Sequence, residues 1–441
     1  MSSLSGEAAV QGPVVSRSCR VADVSYRAFL ASRDAPRIHW ADPDGVEVSG
    51  VGATAVVTAA GGDRFDAVRE WADALFADAD HDGPEVARPR ALGGFAFFDD
   101  HEAGGTWAGF PAAQFVVPEF QLASAGDETW LTVTRAGDDA TAEGVEAALE
   151  DARETVESLP AMVPGGDRPG VRETTPTPGK AAWCDQVRDA LARIEDGSLR
   201  KVVLATALRA DLNAPVEPRN LLERLRQRYS ECFRFLVEPT SDAAFLGATP
   251  ERLATLSGDT VRTTALAGSV ERGESVAEDA RLAELLRESD KLRHEQELVT
   301  DTIAERLDAL GDVTVGERGV RKLSNIQHLE TPISATVTDD THVLDVVERL
   351  HPTPAVNGLP ADAALDTIRE TETFDRGWYA APVGWFDADG DGTFGVGLRS
   401  AVAAGETVTM FGGNGIVADS DPEAEWEEVQ LKYRPILDEL E

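Results

Sequence analysis

Lysine is nearly absent from this chain. Five lysines, Lys180, Lys201, Lys291, Lys322 and Lys432, stand among 41 basic and 79 acidic residues, for a formal net charge of −38. An acidic excess of that size repels DNA and anionic membrane surfaces, which argues against both as partners. Cysteine is scarce too. Cys19, Cys184 and Cys232 are odd in number and far apart, so neither a disulfide framework nor a metal-ligand spacing is expected. No run of about 18 apolar residues occurs, so no membrane span is expected. The opening MSSLSGEAAVQGP has no basic start and no apolar stretch, and so does not read as a secretory signal. A soluble cytoplasmic protein is the expectation.

What is present points to a packed chain. Hydrophobic residues make up 42%, and the acidic residues are dispersed instead of forming a tail, which excludes a disordered polyanion. Dispersed acid with lysine almost eliminated fits a halophilic source, where strongly hydrated carboxylates keep the surface soluble. Each remaining lysine is then more informative than usual.

The length suggests about two to three domains, or one large one. Residues 1–14 read as a loose tail and 15–160 as a half that mixes strands and helices. The Gly-, Pro- and Thr-rich stretch MVPGGDRPGVRETTPTPG makes 161–179 the best candidate for a loop or linker. Residues 180–437 form the second region. There, AAWCDQVRDALARIEDG reads as an amphipathic helix with a Gly stop, and a strand opens at Lys201. ERLATLSGDTVRTTAL reads as a hairpin turning at Ser257-Gly258-Asp259. One long helix is expected from about 277 to 310, and a last one from Pro422 to Leu437. Hairpins with helices between them define an α+β class, not a parallel βαβ fold.

Three motifs are set aside. DADGDG (387–392) opens like a calcium loop, but its twelfth position is Leu398 where a glutamate is needed, so a hairpin turn is expected. HEQEL (294–298) has no second histidine at zinc-protease spacing. GGNGIV (412–417) does not match the dinucleotide fingerprint.

Helical phase is more useful. At about 100° per residue, Leu292, Val299, Ile303 and Leu310 form one apolar stripe. Glu295 falls at its edge, whereas Glu297 falls on the far side. In the last helix Trp426, Val429, Tyr433 and Leu437 form the stripe, and Glu425, Glu428 and Lys432 run along its flank. Glu428 and Lys432 also read as an ordinary i,i+4 pair. Converging glutamates from two helices would suit a hard cation, for which oxygen-only ligation points to Mg²⁺. On its strand Lys201 shares a face with Val203, Ala205 and Ala207, whose small side chains leave space. A lysine held against an apolar wall loses solvation of its charged form, and can then serve as a base near neutral pH. In FLGATPERL, Glu251 sits just beyond a strand end, a position from which it could act as the general acid.

The motifs RKVVLA, FLGATPERL, LAGS, RHEQELV, IQHLETPISA, LHPTPAVNGLP, GLRSA and GGNGIVADSDPEAEWEEVQLK occur in this order. Together they resemble the chorismate-utilising enzymes, over about 181–437, with weaker similarity earlier at GGFAFF. The resemblance implies one integrated domain of two packed antiparallel sheets with helices outside. It implies that Lys201 activates water and Glu251 protonates the departing hydroxyl. Glu295 and Glu428 then look like Mg²⁺ ligands, with Glu425 bound through water. Arg399, Lys432, Gly413 and Gly415 look like anchors for chorismate's carboxylates. His328, Gly268, Ser269 and Tyr379 look like pocket residues.

Within that family, ammonia-using members carry a threonine where HPTPAVNG here has Ala355. Lys201 with Ala355 therefore implies water addition, so the expected activity is Mg²⁺-dependent conversion of chorismate to isochorismate, an isomerase reaction. Salicylate synthase, which goes on to eliminate pyruvate, is the alternative, followed by anthranilate or aminodeoxychorismate synthase and then a non-catalytic relative. The expected ligands are chorismate and isochorismate, with no glutaminase subunit, in a monomer or homodimer. Asn357 and Asn414 depart from the family pattern and have no assigned role.

Overall fold

The computed structural model describes residues 12–441 apart from 44, 164 and 323–325. Most of the expected tail thus lies outside the described residues, and the first strand, Val14–Val21, already begins within its last position. The described strands form a 13-stranded and a 10-stranded sheet. Neighbouring strands are antiparallel, except that Val14–Val21 runs parallel to Asp80–Asp82. With helices packed outside the sheets, the fold is α+β, as the motifs imply.

Both sheets cross between the two halves of the chain. Arg37–Ala41 pairs with Phe233–Thr240 in the larger sheet, and Arg90–Phe95 pairs with Pro382–Asp387 in the smaller one. Aromatic side chains fill the core between the sheets. Trp107 stacks on Phe411 at 5.1 Å, and Phe95 packs on both Phe65 and Phe115. Such pairs add to the stabilisation from apolar burial itself.

Two elements differ from expectation. The segment read as a linker contains the strand Val171–Thr177, which pairs with the strand that begins at Lys201. Its side chains are mostly exposed, so the backbone ladder recruits it without an apolar pattern. The long helix is two helices, Val276–Glu288 and Asp290–Asp308. Ser289 ends the first in an extended conformation, and its side chain caps the second by accepting from Leu292 N. The last helix, Pro422–Leu437, starts at an Asp421 cap with proline in the first turn, as read. DADGDG is the turn between Pro382–Asp387 and Gly392–Val396.

Candidate active site

Strand Lys201–Leu212 runs antiparallel to Thr407–Ile416, with Val203 opposite Gly415. The Lys201 side chain crosses that glycine. A Cβ on Gly415 would stand 2.8 Å from Lys201 Cε, so a larger residue would displace the lysine. Lys201 is only 8% exposed, and its Nζ donates to Glu295 Oε1 at 2.8 Å. The helical phase holds. Glu295 is half-buried, Gln296 is fully buried and donates to the Ala265 carbonyl, and Glu297 is exposed and pairs with Arg318.

Glu251 follows strand Ala243–Thr249 and is buried. Its backbone carbonyl accepts from Val396 N at 3.1 Å, which fixes its place. Burial pushes its carboxyl up to about 7, and only the charge of Lys201 opposes that shift. A carboxyl poised near neutrality suits a general acid. Tyr379, likewise buried, lies against Phe411 at 5.4 Å with its hydroxyl beside Gly413, and burial drives its phenol well above the usual range.

The cationic groups lie on other elements. Arg399 has φ +48, a left-handed backbone rarely adopted by residues other than glycine and often found at functional sites. Its Nη1 is buried, and among the described residues nothing accepts from it. A buried guanidinium N–H without an acceptor is costly, and an anionic ligand would remove that cost. Lys432 Nζ donates to Gly413 O at 2.7 Å and Asn414 Oδ1 at 2.6 Å, and stands 3.1 Å from Glu428 Oε1. Burial pushes His328 down to about 3, and the charges of Arg399, Lys432 and Arg321 push the same way, so the imidazole is neutral. It contacts the backbone of Gly268, whose φ of +65 forms a bulge in strand Thr260–Glu271. Ser269 is opposite His328 in register, but its side chain lies outside the described set.

Ala355 is half-buried in the loop before the short strand Gly358–Leu359, which pairs with Lys201 and Val202. Asn357 docks this loop, its carbonyl accepting from Val203 N at 2.8 Å.

Two groups at the site had no role in the sequence reading. Arg376, fully buried, donates to both carboxylate oxygens of Glu372, to Val203 O and to Val356 O. Glu372 also accepts from Ala205 N at 2.8 Å. The pair therefore braces the lysine strand and the Ala355 loop together. Its only trace in the sequence is the spacing of Glu372 and Arg376, just past the helix Ala361–Thr371. The second group is Asn414, the polar side chain among the glycines of strand Thr407–Ile416. Of the remaining lysines, Lys180 pairs with Glu423 and Glu427, and Lys322 with Asp279, so these two are accounted for by ion pairs.

The three glutamates expected at a metal are turned to protein partners: Glu295 to Lys201, Glu428 to Lys432, and Glu425 to Asn414 at 2.8 Å. Among the described residues no group of three His, Cys, Asp or Glu side chains is arranged to hold a metal ion. The donor chemistry still fits a hard cation, because all three are carboxylates. Burial raises Glu425, and the charge of Glu428 raises it further, a repulsion that a cation between them would relieve.

Residues 4–441 match the family described as chorismate binding enzyme. The chain belongs to that family. It is 34% identical over 415 residues to the salicylate biosynthesis isochorismate synthase of Pseudomonas aeruginosa, covering 92% of this chain and 85% of that protein. It is 33% identical over 420 residues to the isochorismate synthase MenF of Bacillus subtilis, covering 92% and 88%. The structure of MenF, the menaquinone-specific isochorismate synthase from Escherichia coli, superposes with a TM-score of 0.83 at 27% identity, over 99% of this chain and 97% of that one. Anthranilate synthase component I from Streptococcus pneumoniae shares the fold, with a TM-score of 0.76 at 18% identity over 90% and 93%.

Proposed function

We infer that this protein is an isochorismate synthase, converting chorismate to isochorismate. The observation that supports the chemistry is two buried side chains, Lys201 at the head of a strand and Glu251 just beyond the end of another, close enough for the lysine's charge to act on the carboxyl that burial raises to about 7. Chorismate is a dianion on a cyclohexadiene ring. Arg399 and Lys432 would hold its carboxylates, with the Gly413 and Gly415 backbone along one wall. Lys201, once it has given up its own proton and is the neutral amine, takes a proton from water as the water oxygen bonds to C2. Glu251 gives its proton to the C4 hydroxyl, which leaves as water while the ring double bonds shift. One water enters and one departs, so the net change is an isomerisation. Acid and base catalysis each contribute on the order of 10²–10⁴ in rate.

Mg²⁺ is the expected cofactor. Glu295 and Glu428, with Glu425 through water, would hold it, and when bound it supplies positive charge against the substrate's carboxylate. No described helix is long and apolar enough to cross a membrane. A cytoplasmic location and a high-salt interior remain readings from composition.

The test is incubation with chorismate, with and without Mg²⁺ at fixed ionic strength, followed by chromatography of the products. Isochorismate formed only with Mg²⁺ is the expected result. Salicylate and pyruvate in equal amounts would instead assign the chain to the lyase-competent branch.

A further inference from the structure

Strand Thr407–Ile416 reads TVTMFGGNGI, with Gly412, Gly413 and Gly415 around a single polar residue, Asn414. The side chains of alternate residues point to opposite faces. Gly413 and Gly415 face Tyr379 and Lys201, whereas Gly412 faces Val429 and Tyr433 of the last helix, and Asn414 faces that helix with it. Asn414 is 1% exposed. A buried amide is costly unless it is fully hydrogen-bonded, and its backbone pairing opposite Leu204 needs no particular side chain.

Its amide bonds account for its presence. Nδ2 donates to Glu425 O and to Glu425 Oε2, both at 2.8 Å, and Oδ1 accepts from Lys432 Nζ at 2.6 Å. The orientation of the amide is unambiguous, because an ammonium can only donate and a carboxylate or carbonyl can only accept. Both side-chain partners are groups that the proposed function uses, one toward the metal and one toward the substrate.

We propose that Asn414 is a positioning residue whose amide separates and orients Lys432 and Glu425, fixing the substrate-side ammonium relative to the metal-side carboxylate. The neutral amide stands between Lys432 and Glu425, so that the direct ion pair of Lys432 is with Glu428 and not with Glu425. It also gives Glu425 a donor in addition to Ser420. Groups that orient metal ligands typically change metal affinity or activity by about 10–100-fold when removed.

The inference rests on the roles given above to Glu425 and Lys432, and the experiment separates the two. Asn414→Leu keeps the shape of the side chain and removes every hydrogen bond, and Asn414→Ala is used if the leucine variant does not fold. Mg²⁺ binding is measured by calorimetry without chorismate, and kcat and KM for chorismate are measured separately. Asn414→Leu is expected to weaken Mg²⁺ and raise KM by about tenfold each, with kcat at saturation and the melting temperature little changed. Asn414→Leu should add nothing to KM in Lys432→Met, and nothing to the Mg²⁺ dissociation constant in Glu425→Ala, because groups acting as one unit are not additive. If Glu425→Ala and Lys432→Met lose affinity while Asn414→Leu does not, the positioning role is overturned. Additive losses in the double variants overturn it as well. If Glu425→Ala and Lys432→Met both bind as the parent does, the roles assigned to them fail, and the proposal fails with them.

Discussion

Nζ of Lys201 lies 2.8 Å from Oε1 of Glu295, linking the head of strand Lys201–Leu212 to the helix Asp290–Asp308. The residues proposed as base and as metal-side carboxylate are therefore neighbours, although 94 residues separate them in the chain.

Lys201→Ala and Glu251→Gln should each lower kcat by at least about 100-fold. Chorismate should still bind in a Mg²⁺-dependent way, as read by fluorescence or calorimetry. A variant that keeps near-parental kcat removes its residue from the mechanism.

The acid should also set the pH profile. Burial raises Glu251 to about 7, so the carboxyl is protonated below that value and ionised above it. An acid must carry its proton, so, with Lys201 already the neutral amine, kcat/KM should fall as pH rises through about 7. The profile is measured at fixed salt, since an acidic protein is sensitive to ionic strength. A kcat/KM that climbs steadily from pH 6 to 9 would show that Glu251 is not the proton donor.

Ala355→Thr probes the choice of water as nucleophile. The added hydroxyl and methyl would fill the gap expected for the attacking water, and a misplacement of ~1 Å can cost roughly 100-fold. Isochorismate formation should drop while chorismate binding persists, and high ammonium should allow some aminated product. An unchanged rate would mean that Ala355 does not border the water.

Glu428→Ala should weaken Mg²⁺ and with it chorismate. Glu297→Ala, one helix away and facing solvent beside Arg318, should change neither binding nor kcat measurably. Equal effects from the two substitutions would contradict the placement of the carboxylates.

Arg376 and Glu372 form an ion pair with side chains 0% and 3% exposed. Arg376→Met leaves the buried Glu372 carboxylate without its counter-charge, with the Ala205 N–H still donating to it, and should cost about 3–5 kcal/mol in urea unfolding. Glu372→Met/Arg376→Met removes both charges and should be no less stable than Arg376→Met. A double variant clearly worse than the single would mean that the hydrogen bonds to the backbone, not the charges, dominate.

Local pattern carried much of this structure. The Asp421 cap, the hairpin at Gly258 and the inward and outward phases of Glu295 and Glu297 all follow from short-range periodicity. The break at Ser289 did not, because neither proline nor glycine marks it. Strand Val171–Thr177 was hidden by its composition, since it is held mainly by backbone pairing at the sheet edge and carries no apolar alternation. The Glu372–Arg376 brace and the Asn414 bridge were illegible for another reason. Their partners, Val203 and Val356 in one case and Lys432 and Glu425 in the other, meet only through tertiary folding.

The decisive measurement is the fate of water oxygen. Chorismate should be converted with Mg²⁺ in ¹⁸O-water, and the isolated product analysed by mass spectrometry. Attack of water at C2 with loss of the C4 hydroxyl requires isochorismate carrying one solvent-derived oxygen on the ring. Isochorismate that retains only unlabelled oxygen, or chorismate left unconverted, would contradict the assignment of Lys201 and Glu251 as base and acid for water addition.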